Sequence, residues 1–123
     1  MNREQVKTYM KTEDGLVHRG EITKMKVELY ARDFGFFHDQ WLGDSPINVG
    51  VIPSNIMVDP PMFSFHTVIK TNFFGNAYIV LDTIDMTPGE YTAVLVYEGK
   101  ERLDTTHITH GCEAYSHLAV LPR

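Results

Sequence analysis

One cysteine, Cys112, stands among 123 residues, so the chain has no internal disulfide. That excludes a small scaffold held by cystine bridges, and a lone thiol fits a reducing compartment. No apolar run approaches the ~18 residues that a membrane-crossing helix needs, so no transmembrane helix is expected. Proline (6) and glycine (9) are too sparse for a collagen-like or low-complexity chain. Asn-x-Ser/Thr acceptors are absent, and the polar start Met1-Asn2-Arg3-Glu4-Gln5 is followed by no apolar stretch of secretory type. Synthesis in the cytosol is therefore the expectation. Eleven basic against sixteen acidic residues leave a net charge of −5, which argues against gripping a nucleic-acid backbone. Also missing are a glycine-rich phosphate loop, a dinucleotide fingerprint, a Gly-x-Ser-x-Gly elbow and a His-Glu-x-x-His pair.

The composition is that of an ordinary globular domain, 43% apolar and 22% charged, and the length suits one domain over residues 1–123. Its dominant period is two. Thr23, Met25, Val27, Leu29 and Ala31 alternate with Lys24, Lys26, Glu28 and Tyr30, which predicts a strand with one buried and one wet face. Val6–Lys11 alternates similarly and ends at the turn Glu13-Asp14-Gly15. Further strands are expected at Ile47–Ile52, Met62–Thr71, Ala77–Asp82, Tyr91–Glu98, Arg102–His110 and Tyr115–Leu121. Ala77–Asp82 is nearly all apolar and predicts a central strand buried on both faces. Only Phe34–Leu42 offers room for a helical turn. Seven or eight short strands without a helix predict an all-β, antiparallel two-sheet β-sandwich.

The stretch Ile84-Asp85-Met86-Thr87-Pro88-Gly89-Glu90-Tyr91-Thr92-Ala93-Val94-Leu95 resembles the loop before the penultimate strand of immunoglobulin-like and fibronectin type III-like domains. The resemblance implies a tyrosine corner at Tyr91, whose hydroxyl would bond to upstream backbone. It puts Ala93 where antibody domains carry a disulfide cysteine, and takes Tyr91–Gly99 and Lys100–His110 as the last two strands. Fold resemblance of this kind implies no activity.

Four residues within eleven, His107, His110, Cys112 and His117, carry the imidazole and thiolate groups that zinc prefers. Gly111 offers a bend that would let the first three converge; otherwise they are polar strand positions beside a buried thiol. A nucleophilic Cys112 with a histidine base is the related enzyme reading, opposed by the adjacent Glu113, whose charge raises a thiol pKa. A second cluster, Phe34, Phe36, Phe37 and Trp41, puts four aromatics in eight residues. They suit either an anchor for a protein partner or stacked sugar ring, or a plug for one end of the sandwich. Pro53–Phe63, with Pro60-Pro61, reads as a crossover connection or an assembly segment.

Charge is uneven: residues 1–32 hold seven Lys/Arg and five Asp/Glu, residues 33–123 four and eleven. Solvated lysines on the outer face of a strand account for this, as does a basic arm that docks on an acidic neighbour. The leading expectation is a non-catalytic interaction or assembly module. It would bind a protein partner or a second copy, by analogy with phage virion and tail sandwiches, and neither nucleic acid nor membrane. A carbohydrate- or small-ligand-binding module using the Phe34–Trp41 loop is the alternative. A small zinc protein or metal-dependent enzyme built on the histidine cluster is the third.

Overall fold

The computed structural model describes residues 4–32, 39–54, 65–99 and 107–123. The strands run β1 (Glu4–Val6), β2 (Thr8–Thr12), β3 (Gly15–His18), β4 (Ile22–Arg32), β5 (Asp39–Trp41), β6 (Pro46–Pro53), β7 (Phe65–Lys70), β8 (Asn76–Asp82), β9 (Gly89–Tyr97), β10 (His107–Thr109) and β11 (Cys112–Leu121). Seven have five or more residues, matching the expected number; β1, β3, β5 and β10 are the short additions. No helix occurs among the described residues.

Five strands in the order β3-β11-β9-β6-β7 form one sheet, β2, β4, β5 and β8 form a second, and β1 pairs with β10 apart from both. The long β4 organises the smaller sheet. It pairs with β2 through residues 27–31 on one edge, and with β8 (22–28) and β5 (30–32) on the other. Alternation decides which face goes inward. Thr23, Met25, Val27, Leu29 and Ala31 are all buried, as their period predicts. Opposite them lie Ile47, Val49 and Val51 of β6, Ala93, Leu95 and Tyr97 of β9, and Leu118 and Val120 of β11, in one continuous core. Each fully buried Leu, Ile or Val contributes about 1.5–3 kcal/mol, so a one-residue slip in any of these strands would invert its face and forfeit several such terms.

Three expectations change. The sheets are not wholly antiparallel, because β3 runs parallel to β11 and β1 parallel to β10. The chain start is divided between the sheets: β2 pairs with β4, then Glu13-Asp14 carries the chain across to β3 on β11. Secondly, β8 is no central strand. Among the described residues it pairs only with β4, and Tyr78 and Val80 lie on its exposed face. Its apolar outer residues sit beside the aliphatic stem of Lys24, whose Nζ lies 4.4 Å from the Tyr78 ring centre. Thirdly, the partner of β9 is β11, with Cys112 opposite Tyr97, and not the Lys100–His110 segment. Residues 100–106 lie outside the described set, and β10 joins β1.

Two buried threonines, Thr71 directly after β7 and Thr83 directly after β8, tie neighbouring loops together. Thr71 Oγ1 donates to the Leu42 carbonyl (2.6 Å) and accepts from the Ser45 N–H (2.9 Å). Thr83 Oγ1 donates to the Glu21 carbonyl (2.6 Å) and accepts from the Gly20 N–H (3.0 Å). At the other end of the core the buried Tyr91 donates its hydroxyl to the Thr87 carbonyl at 2.6 Å, the bond expected of a tyrosine corner.

Candidate functional site

Trp41, singled out in the sequence, is 46% exposed and stands on the outer face of the smaller sheet. Register explains its neighbours. Tyr30 of β4 lies opposite Tyr9 of β2 on one side and opposite Trp41 of β5 on the other. The three rings therefore form a row across the sheet. Tyr9 and Tyr30 stack at 5.6 Å and 24°, and Tyr30 meets Trp41 edge to face at 5.7 Å and 65°. Cross-strand aromatic pairs of this kind contribute about 0.5–1 kcal/mol each.

The row continues into the turn between β7 and β8. Asn72 Oδ1 accepts from the N–H groups of Phe74 (2.9 Å) and Asn76 (3.1 Å), while the Asn72 N–H donates to the Asn76 carbonyl at 2.7 Å. Gly75, at φ +76°, donates to the Asn72 carbonyl (3.0 Å) and accepts from the Leu29 N–H (2.9 Å). A side chain at residue 75 would meet the Leu29 carbonyl oxygen at 2.7 Å, so glycine is required. This tightly bonded turn holds Phe73 and Phe74 in solvent, 87% and 65% exposed and edge to face at 5.3 Å. Phe73 and Trp41 border one shallow hollow with Gly43, Asp44, Thr71 and Asn72. Five aromatic rings thus make a strip from β2 to the turn.

Lysines flank the strip. Lys11 Nζ lies 5.5 Å from the Tyr30 ring centre, and Lys24 lies over Tyr78. Lys26 bonds Glu28 at 3.1 Å, and that contact raises the lysine pKa. The wet lysines expected of β4 are here, beside an aromatic row that the sequence reading did not assemble. Phe73-Phe74 was missed as well. Its signal was available: two phenylalanines between Asn72 and Gly75 sit in a turn too short to turn both inward. Phe34, Phe36 and Phe37 lie outside the described residues.

The histidine cluster is dispersed where it is described. Cys112 is half-buried at the start of β11, on the face that carries Ser116 and Leu118 inward, while His117 is exposed on the opposite face, 3.7 Å from Glu90. Burial raises the Cys112 thiol pKa, partly offset by a hydrogen bond with Thr8. His110 is exposed, its carbonyl accepting from Thr8 Oγ1 at 2.7 Å. Gly111 packs against the Tyr97 carbonyl, where a Cβ would sit 2.5 Å away. The side chain of His107 lies outside the described set. No three His, Cys, Asp or Glu side chains come together as a metal site among the described residues.

A separate hollow of about 770 Å³ opens at the tyrosine-corner end, floored by Phe65, Leu81, Met86 and Tyr91 and rimmed by Asp82, Asp85 and Glu90. Its carboxylates alone define no ligand. Comparison with known protein families, with curated proteins and with solved structures finds no match for this chain.

Proposed function

We propose that the chain is a non-catalytic interaction module of immunoglobulin-like build that docks a partner protein on the aromatic strip Tyr9–Tyr30–Trp41–Phe73–Phe74. The observation that carries this reading is the pair of phenylalanines held in solvent by a hydrogen-bonded turn beside Trp41. Exposed aromatics held on rigid backbone bind at little entropic cost and are enriched among binding hot spots. Lys11, Lys24 and Lys26 along the same face fit a partner surface that is apolar with an acidic rim. The immunoglobulin-like assignment is supported by the Tyr91–Thr87 bond and by a first strand divided between two sheets.

A flat sugar platform is less well supported, because Tyr9 and Tyr30 turn their faces on each other and not to solvent. The test is photo-crosslinking in an extract of the producing cells, from a probe at Trp41 and from a control probe at Tyr115 on the other sheet. A discrete protein crosslinked from the first position alone, with a yield that falls when salt is added before irradiation and is lost with Phe73→Ala plus Phe74→Ala, is the expected result. That double variant should keep its stability within about 0.5 kcal/mol, since both rings are exposed. Equal crosslinking from both positions, or binding to glycans through Trp41, would overturn the reading.

A further inference from the structure

We infer that the edge of β8 left unpaired among the described residues pairs with β8 of a second copy, joining two four-stranded sheets into one continuous sheet about a two-fold axis at Ile79. This inference stands apart from the aromatic strip and needs no other partner.

The first argument is the state of the edges. Of the sheet borders, β2 carries Lys11, β7 carries His66 and Lys70, and β3 is four residues long. Lysine and shortness are the usual protections against edge pairing. β8 has neither: it is seven residues long, its one charge is the terminal Asp82, and Ala77-Tyr78-Ile79-Val80-Leu81 is free of charge, proline and glycine.

The second argument is which backbone groups face outward. Hydrogen bonds from the Leu29 N–H to the Gly75 carbonyl and from the Thr83 N–H to the Glu21 carbonyl flank the β4–β8 ladder. Odd residues of β8 therefore bond to β4, and the N–H and C=O groups of Asn76, Tyr78, Val80 and Asp82 point to the free edge. Those of Asn76 are taken by Asn72 at 2.7 and 3.1 Å. In a pairing centred on Ile79, Asp82 falls opposite the blocked Asn76, so Tyr78 and Val80 offer the four groups available to an antiparallel ladder.

The third argument is self-complementarity. An antiparallel pairing centred on Ile79 sets Tyr78 opposite Val80 of the second copy, twice, and stops short of Asn76, whose edge groups are already bonded to Asn72. Each such pair exchanges two backbone bonds and adds an aromatic contact to a β-branched side chain. The register also sets Asp82 towards Asn76 and not towards another carboxylate. An isologous contact of this kind closes at two and leaves no edge to propagate.

The experiment is sedimentation velocity over roughly a hundredfold range of concentration, with amide exchange at Tyr78 and Val80 followed in parallel. The expected result is a shift from 14.1 kDa towards twice that mass, with the two amides gaining protection as it occurs. Val80→Pro removes an outward N–H without touching the β4 ladder and should weaken association at least tenfold. Should that variant fail to fold, the double substitution Tyr78→Lys and Val80→Lys decides, since it sets like charges directly opposite each other. Trp41→Ala should leave association unchanged, separating this interface from the aromatic strip. A wild-type chain that stays monomeric throughout, or a dimer that survives the double substitution, overturns the inference.

Discussion

The hydroxyl of Tyr91 lies 2.6 Å from the carbonyl oxygen of Thr87, four residues upstream, and ties the loop before β9 to the base of the strand it feeds. Tyr91→Phe keeps the buried ring and deletes only this bond. The expected cost is about 1 kcal/mol, or roughly 3–5 °C in Tm, by denaturant and thermal unfolding. A neutral result would show that the ring alone fixes the corner.

Gly75→Ala should cost more, about 2 kcal/mol or above. The substitution meets two penalties: a positive φ that an L side chain resists, and the Leu29 carbonyl at 2.7 Å. Because the same turn presents Phe73 and Phe74, the variant should also lose crosslinking from Trp41, even where it remains folded.

Ser116 predicts a change in the opposite direction. Its hydroxyl is buried in β11 and has no hydrogen-bond partner. Removing an unsatisfied buried hydroxyl removes a desolvation cost, so Ser116→Ala should stabilise by about 1 kcal/mol and raise the urea midpoint at unchanged slope.

Glu21 supplies a pH dependence. Its carboxylate accepts the His18 backbone N–H at 2.6 Å and lies 3.1 Å from the His18 ring, and these contacts lower its pKa, the backbone bond most. A folded pKa below the unfolded one gives stability that is present above the ordinary glutamate value of about 4.3 and lost as pH falls through the folded value. The stability gap between the wild type and Glu21→Gln should therefore close on acidification through that window. Carbon-detected NMR titration should place the Glu21 midpoint below that of a peptide glutamate.

What was legible in the sequence follows one physical rule. Where a strand is wet on one face, alternation names the buried set, as it does for Thr23, Met25, Val27, Leu29 and Ala31. The rule fails for β8, because Tyr78 and Val80 are apolar and exposed, and period two is invisible when both faces are hydrophobic. It fails again for β3: four residues at Gly15–His18 are strand only because Leu118–Leu121, a hundred positions away, lie beside them. The aromatic row has the same origin. Tyr30 was placed on the wet face of β4, but its meeting with Tyr9 and Trp41 is set by two registers that no local pattern encodes.

The parallel pairing of β3 with β11 has a mechanical consequence. β3 lies near the start of the described chain and β11 near its end, and four register pairs from Gly15–Leu118 to His18–Leu121 join them. Tension applied between the two ends pulls these strands in opposite directions along their own length. Their hydrogen bonds are then loaded in shear, all together, and cannot be peeled one at a time. Between Gly15 and Leu121 the load path therefore runs through the larger sheet.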